Sequence, residues 1–222
     1  MAERLISSVT ILTATAAEAE GLRRLVGDHP LEHLQIDFLV SGVSMVNTSY
    51  CLGRYLANSA PDMLIQIGIA GSFSEQIPIG SVVEVTEELF PELGAESPEG
   101  WLSLEQLGFP LVQTAEGNLY NRLDNPVSYC SHLTQARAIT VNNVSGIDST
   151  IERLKKEWNP DIESMEGGAF FHAMKQVQIP FMQLRGISNM VEPRNKERWR
   201  IGAAINAVQK EAFQFLAEFL NN

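Results

Sequence analysis

The chain alternates short apolar runs rich in β-branched residues with segments whose apolar residues repeat at helical spacing. Six runs are almost continuously apolar, which is typical of strands covered on both faces. They lie at residues 7–15, 37–42, 63–71, 81–89, 138–146 and 180–188. Helices are predicted at residues 16–27, 44–59 and 168–177, and from Ile201 to Phe219. This alternation predicts a single α/β domain over residues 1–222, a three-layer αβα sandwich with a mixed central sheet.

Composition and charge exclude several kinds of function. The chain has 222 residues, enough for one large α/β domain, and a formal net charge of −11. This acidity opposes binding to a phosphate backbone, so no nucleic-acid partner is expected. No apolar stretch is long enough to span a bilayer, and the first residues are not typical of a signal peptide. With only two cysteines, a cytoplasmic protein with no membrane partner is expected.

Polar residues follow several of the predicted strands, where open α/β sheets bind their ligands. Glu18 and Glu20 follow the first strand, and the stretch GIAGSF at residues 68–73 ends the third. Asn189 follows the last strand, and Glu166 stands just before the helix that leads into it. These stretches should converge at one rim of the sheet, where they would form a pocket that contains carboxylates and an amide.

The sequence lacks the motifs of common cofactor and nucleophile sites. Neither a glycine-rich nucleotide-binding fingerprint nor a G-x-S-x-G nucleophile elbow is present. The four histidines and two cysteines have no metal-like spacing. We therefore predict neither a metal nor a cofactor, which leaves carboxylate chemistry.

Three stretches together carry a family resemblance. They are TILTATAAEAEGL at residues 10–22, SMEGG at residues 164–168 and RGISNMVEPRN at residues 185–195. With GIAGSF, they resemble the nucleoside phosphorylase/nucleosidase superfamily, and within it the futalosine hydrolases, over nearly the whole chain. The resemblance implies the nucleoside phosphorylase-like fold and cleavage of the bond between a purine and its ribose.

The same resemblance implies roles for individual residues. The family carries a general acid/base glutamate after its first strand, and counting from the strand end matches it to Glu20 rather than Glu18. Its methionine–glutamate pair matches Met165, which would pack under the ribose, and Glu166, which would accept hydrogen bonds from the 2′- and 3′-hydroxyls. Purine contacts are expected from Ala70, Gly71, Val144, Ser145 and Asn189.

Asn189 indicates which purine is bound. Relatives that cleave adenine nucleosides have an aspartic acid at this position, and that acid protonates N7 of the leaving base. Asparagine cannot supply the proton, but it offers an amide donor to a 6-oxo group and a carbonyl acceptor to a protonated N7. Asn189 is therefore expected to act in catalysis as a base-binding residue, with hypoxanthine favoured over adenine.

Two further positions bear on the nucleophile. Gln66 stands where phosphorolytic relatives place a phosphate-binding arginine, which favours water over phosphate. Ile69 stands where hydrolases of methylthioadenosine have a serine that helps to hold the water, so the placement of water is left open. The irregular segment 90–110 is either a surface insertion or a lid. Candidates to line the pocket for the 5′ arm are Phe90, Trp101, Phe109, Arg194, Arg198 and Trp199.

The function implied is hydrolysis of the N-ribosidic bond of futalosine, which releases hypoxanthine and dehypoxanthine futalosine in the futalosine route of menaquinone biosynthesis. A purine nucleoside phosphorylase acting on inosine-type nucleosides and a methylthioadenosine/adenosylhomocysteine-type nucleosidase remain alternatives, as does a nucleoside-binding protein without catalysis. The predicted partner is a small-molecule purine nucleoside. Relatives are homo-oligomers, so the same is expected here.

Overall fold

The computed structural model describes residues 6–218, over which strands and helices alternate as the apolar pattern predicts. The strands are β1 (Ser8–Thr13), β2 (Gln35–Val40), β3 (Met63–Ser72), β4 (Val82–Leu89), β5 (Gly94–Ser97), β6 (Gly100–Ser103), β7 (Val112–Thr114), β8 (Gly117–Leu119), β9 (Arg122–Asp124), β10 (Thr134–Thr140), β11 (Ile162–Ser164) and β12 (Phe181–Met190). The helices are α1 (Ala16–Asp28), α2 (Met45–Leu56), α3 (Leu104–Leu107), α4 (Asp148–Trp158), α5 (Gly167–Val177) and α6 (Ile201–Glu218). Phe219, the last apolar residue of the predicted C-terminal helix, lies outside the described residues. Residues 1–5 and 220–222 of the predicted 1–222 domain also lie outside them.

The central sheet is mixed and has the strand order β11-β10-β4-β12-β3-β1-β2, with β9 beside β4. The pairs among β1, β2, β3 and β12 are parallel, whereas β12 runs antiparallel to β4. Strand β11 lies parallel to β10 and also pairs antiparallel with the end of β3. Five strands therefore close into a ring, which brings β11 to the carboxyl end of β3.

Helices cover both faces of this sheet. Leu22 of α1 and Val208 of α6 pack in the same apolar cluster as Ile65 of β3. Phe170 of α5 packs in a second cluster with Leu64, whose side chain points to the opposite face of β3 because side chains alternate along a strand. The predicted three-layer α/β architecture with a mixed sheet is confirmed. Among the described residues, no helix is long and apolar enough to cross a membrane.

Two glycines begin α5 because the sheet lies directly beneath them. A Cβ atom on Gly167 would collide with the carboxylate of Glu88, and one on Gly168 would collide with the ring of Phe90. The backbone N–H of Gly168 donates to Thr140 Oγ1 at 2.7 Å, which fixes one of the free donors of the first turn. The glycine pair therefore holds the start of α5 against the ends of the strands.

The irregular segment 90–110 folds outside the central sheet. It contains the β5–β6 hairpin and α3, and the β7–β8 hairpin follows it. Trp101 packs edge-on against Trp158 of α4, a helix that the apolar pattern did not predict, with ring centroids 5.5 Å apart. Phe109 is exposed, and Phe90 is buried under α5.

Candidate active site

A cavity of about 380 Å³ opens where the carboxyl ends of β1, β3 and β12 meet the start of α5. This is the edge at which open α/β sheets bind ligands, and the predicted stretches converge there. Six of the predicted site residues line the cavity, namely Ala70, Gly71, Val144, Met165, Glu166 and Asn189. Ser145 and Glu20 are not among its lining residues.

The structure corrects the prediction of Glu20. Its side chain is 73% exposed and pairs with Arg24 one helical turn later, at 3.4 Å. Glu18 lines the cavity instead and is only 5% exposed. Because each residue of a helix advances about 100° around its axis, positions two apart point in nearly opposite directions. Only one of the two glutamates can therefore face the cavity, and that one is Glu18.

The cap of α1 fixes the carboxylate of Glu18. Thr15 is the N-cap residue, and Glu18 Oε2 accepts from its backbone N–H at 2.8 Å and from its hydroxyl at 3.0 Å. This is a capping box, whose T-x-x-E signature at residues 15–18 is visible in the sequence and could have identified Glu18. The other oxygen, Oε1, lies close to Gly68, where a Cβ atom would come within 3.2 Å of it.

Glu166 is buried beside a buried guanidinium. Its Oε2 lies 3.6 Å from Nη1 of Arg185, and the Arg185 side chain is 1% exposed. Nη2 of Arg185 donates to Gln66 Oε1 at 3.1 Å. Arg185 does not line the cavity, so its charge supports the carboxylates from behind. The sequence pattern did not single out Arg185, because it lies within an otherwise apolar strand.

The second oxygen of Glu166 is held by an unusual backbone. Oε1 accepts from the backbone N–H of Ser44 at 3.1 Å. Ser44 is the N-cap residue of α2 and has φ 99° and ψ 156°, a conformation that residues with a side chain rarely adopt. Such a backbone costs on the order of 1–3 kcal/mol and is concentrated at functional sites. Ser44 thus helps to orient Glu166 through its backbone N–H.

A β-bulge directs Asn189 into the cavity. The pairing of β12 with β3 shifts register between Ile187 and Asn189, which re-aims the side chains that follow. Oδ1 of Asn189 accepts from Ser188 Oγ at 2.8 Å, and Nδ2 donates to the Met190 carbonyl at 2.9 Å. One amide hydrogen of Nδ2 is then left for a ligand. A Cβ atom on Gly71 would lie 3.0 Å from Nδ2, so glycine preserves the space beside it.

Glu163 is a cavity residue that was not predicted. The pairing of β11 with β3 places it opposite Gly71, and its side chain lines the cavity while being 5% exposed. Oε1 accepts from the backbone N–H of Ser145 at 3.0 Å, and Oε2 is buried without a hydrogen-bond partner in the described part of the chain. Burial raises the pKa of Glu163, against the lowering effect of the Ser145 hydrogen bonds. Only the β11–β3 pairing reveals this position, because the local pattern does not indicate which way Glu163 points.

A fully buried glutamate lies beneath the site. Glu88 accepts from Gln183 Nε2 and from Thr140 Oγ1, both at 2.8 Å. Burial raises the pKa of Glu88 to about 7, and the negative charge of Glu166 acts in the same direction. Through residues 6–218, no group of three or more histidine, cysteine, aspartate or glutamate side chains is placed to hold a metal ion.

Much of the remaining cavity wall is apolar and is formed by Val43, Ile69, Trp199, Ile201 and Ile205. The polar residues Thr15, Ser164 and Ser188 also line the cavity. Of the six predicted candidates for the 5′ arm, Trp199 lines the cavity, and the guanidinium of Arg194 lies 5.3 Å from the centre of its ring. Phe90, Trp101, Phe109 and Arg198 are not lining residues, and Arg198 pairs with Glu192 at 3.1 Å.

Comparisons with known proteins agree with this geometry. The sequence profile of the Phosphorylase superfamily matches residues 35–221. The futalosine hydrolase of Streptomyces coelicolor is 32% identical over 78% of this chain and 74% of its own length, and that of Acidothermus cellulolyticus is 30% identical over 90% and 86%. The structure of the 5′-methylthioadenosine/S-adenosylhomocysteine nucleosidase from Helicobacter pylori superposes with a TM-score of 0.79 at 15% identity, covering 97% of this chain and 100% of that one. The chain therefore belongs to the phosphorylase superfamily, and within it to the futalosine hydrolases.

Proposed function

We propose that the protein hydrolyses the N-ribosidic bond of futalosine and releases hypoxanthine and dehypoxanthine futalosine. The observation that carries this proposal is the presence of Glu18, Glu166 and Asn189 around one cavity. The two glutamates supply the groups that such a hydrolysis needs, and the amide suits an oxopurine. The names of the relatives agree with this substrate.

Glu166 is proposed to bind the ribose. A carboxylate can accept hydrogen bonds from two vicinal hydroxyls, and Ser44 and Arg185 already hold its two oxygens in place. Met165, which also lines the cavity, would pack against the sugar ring. Cleavage develops positive charge on the sugar, and the fixed negative charge of Glu166 would stabilise that charge in the transition state.

Glu18 is proposed to be the general base that activates water. The capping box holds Oε2, so Oε1 is the atom that would accept the proton. The water oxygen then attacks C1′ of the ribose while the bond to N9 of the purine breaks. General-base assistance of this kind contributes typically about 10²- to 10⁴-fold to the rate. Glu18 thus takes the role that the family resemblance assigned to Glu20.

Asn189 is proposed to bind hypoxanthine, with Ala70, Gly71 and Val144 along the base. Its free amide hydrogen would donate to the 6-oxo group, which adenine lacks. The apolar wall with Trp199 and Ile205 would then receive the 5′ arm of futalosine, which bears a benzoate. Arg194 stacks on Trp199 and could pair with the carboxylate of that arm.

The similarity to futalosine hydrolases also supports a proposal about the pathway, the compartment and the assembly of the enzyme. We propose that the enzyme acts in the futalosine route of menaquinone biosynthesis, in the cytoplasm, and as a homo-oligomer. Two apolar side chains of α2 favour an oligomer, because Val46 is 75% exposed and Tyr50 is 68% exposed. They lie next to Val43, which belongs to the cavity wall.

One assay tests the proposal against its alternatives. The protein is incubated with futalosine, inosine and methylthioadenosine, each with and without phosphate, and the free base is measured. We expect hypoxanthine from futalosine at a rate that does not depend on phosphate. Formation of ribose 1-phosphate from inosine would identify a phosphorylase, and preferred release of adenine would identify a methylthioadenosine-type nucleosidase. Binding without turnover over hours would identify a binding protein.

A further inference from the structure

The proposed reaction leaves one proton unassigned, and the inference that follows rests on that reaction. When the C1′–N9 bond breaks, its electron pair goes to the purine, which leaves more readily if one of its nitrogens is protonated. Asn189 cannot donate that proton as an acid, because an amide group does not ionise near neutral pH. The proton must therefore come from solvent or from another group at the cavity.

Three carboxyl groups line the cavity, and their surroundings differ. Glu166 has a buried cation beside it, since Nη1 of Arg185 lies 3.6 Å from its Oε2. Glu18 lies near the same cation, since a Cβ atom on Gly68 would lie 2.5 Å from Nη1 of Arg185 and 3.2 Å from Oε1 of Glu18. Glu163 has no ion pair within residues 6–218 and is the carboxyl group best suited to be uncharged.

The position of Glu163 also suits a proton donor. The Glu163 side chain lines the cavity, its Oε1 is held by the N–H of Ser145, and its Oε2 is buried with no hydrogen-bond partner among the described residues. Gly71 separates it from Asn189, because a Cβ atom there would lie 3.0 Å from Asn189 Nδ2 and 3.6 Å from Glu163 Cγ. A buried polar atom without a partner is costly, so an unpartnered carboxyl oxygen on a residue of the cavity wall indicates a ligand that completes it.

We propose that Glu163 is the general acid that protonates N7 of the leaving purine. As the C1′–N9 bond breaks, the carboxyl hydrogen of Glu163 passes to N7, and hypoxanthine departs as a neutral molecule. Glu163 is left as a carboxylate, while the attacking water has given one proton to Glu18. Glu18 then loses that proton to solvent and Glu163 regains one, so each turnover consumes one water molecule and no other reactant.

The electrostatics of the site support the neutral form of Glu163. Burial is the largest influence that raises the pKa of Glu163, and the negative charge of Glu92 adds to it. Glu92 accepts from the backbone N–H of Asn142 at 2.8 Å and lies near the same loop as Ser145. The hydrogen bond to Oε1 is compatible with either protonation state, because the carbonyl oxygen of a carboxylic acid also accepts.

The deciding experiment compares two leaving groups in the Glu163→Gln variant. Glutamine keeps an oxygen for the N–H of Ser145 but has no acidic proton. We expect kcat for futalosine to fall about 10²- to 10⁴-fold, the usual contribution of a general acid. 7-Methylinosine carries a positive charge on its base and leaves without protonation, so its kcat should fall less than about 10-fold. Equal losses for both substrates, or no loss for futalosine, would overturn the proposal.

Two measurements on the unmodified enzyme separate this proposal from a failure of the variant to fold and from a failure of the proposed function. In the unmodified enzyme, kcat for futalosine should decline as pH rises through the pKa of Glu163, because the acid must be protonated to act. The absence of any such decline above the ordinary pKa of a glutamate would also overturn the proposal, whatever the variant does. If the unmodified enzyme releases no hypoxanthine from futalosine, the proposed function fails instead. The exposed Glu20→Gln variant serves as the control and should retain both activities.

Discussion

Glu18 and Glu20 are two residues apart on α1, yet only Glu18 reaches the cavity. Oε2 of Glu18 is held by the cap of the helix, while Glu20 pairs with Arg24 at the surface. The helix starts at Ala16, directly after the cap, and this start decides which residue turns inwards. On α6, Gln209 donates to the carbonyls of Ala17 and Glu18 at 3.1 and 2.8 Å, which fixes that rotation.

Glu18→Gln is expected to lower kcat about 10²- to 10⁴-fold, because the variant has no base to accept the proton of water. The matched control is Glu20→Gln, which removes the same group two positions away and should stay within about two-fold of the unmodified enzyme. Steady-state release of hypoxanthine from futalosine measures both. A larger loss of kcat in the Glu20 variant than in the Glu18 variant would identify Glu20 as the general base.

Glu166→Gln is expected to reduce kcat/KM for futalosine by about 10- to 100-fold, since a hydrogen bond to a charged group contributes about 1.5–3 kcal/mol. The loss should shrink when the 2′-hydroxyl is absent from the substrate, because that contact is then missing in both enzymes. The values of kcat/KM for inosine and for 2′-deoxyinosine are measured with the unmodified enzyme and with the variant. These four values form a double-mutant cycle in which the second change is the loss of the hydroxyl. If the loss is the same for both nucleosides, Glu166 does not bind the 2′-hydroxyl.

Asn189→Asp should reverse the preference between 6-oxo and 6-amino purines. The new carboxylate loses the amide donor to the oxo group, and an unpaired buried polar group costs about 1–3 kcal/mol, or roughly 10- to 100-fold. Once protonated, it can donate to N7 of adenine. The measurement is the ratio of kcat/KM for futalosine to that for its 6-amino counterpart. A ratio equal to that of the unmodified enzyme would remove Asn189 from purine selection.

Glu88→Gln is expected to flatten the dependence of stability on pH. The pKa of Glu88 in the folded protein, about 7, is above the unfolded value of 4.5. Its stabilising contribution is therefore complete below pH 4.5 and is lost as pH rises towards 7, by roughly 3 kcal/mol in total. Urea unfolding at several pH values should show this decline in the unmodified protein and much less of it in the variant. Parallel curves for the two proteins would contradict the assignment.

The sequence predicts the parts of the site that belong to a continuous motif. Met165, Glu166 and Asn189 lie where the family motifs place them, on the wall of one cavity. Glu18 was missed because counting from the strand end ignores the rotation of the helix, although Thr15 and Glu18 form a recognisable cap. The capping-box rule would have avoided this error, because it predicts that the side chain three positions after the N-cap residue turns back towards the cap.

Other features could not be predicted, because they depend on contacts between distant segments. Glu163 reaches the cavity only through the pairing of β11 with β3, and Arg185 gains its role from Gln66 and Glu166 on other elements. The three-residue β11 and the amphipathic α4 lack the long apolar runs by which the larger elements were recognised. Periodicity identifies the faces of the elements but not the partners that those faces meet.

Glu163 reaches the cavity because it pairs with Gly71 in antiparallel register. The length of the turn before β11 therefore affects which side chain of β11 stands at that place. Successive residues of a strand point to opposite sides, so a slip of one position in β11 would turn the Glu163 side chain away from its place beside Gly71. The turn at residues 159–161 sets that position, because the N–H of Phe73 donates to the carbonyl of Asp161 at 2.8 Å. A single inserted or deleted residue that shifted this pairing would displace the carboxyl group that we propose as the general acid.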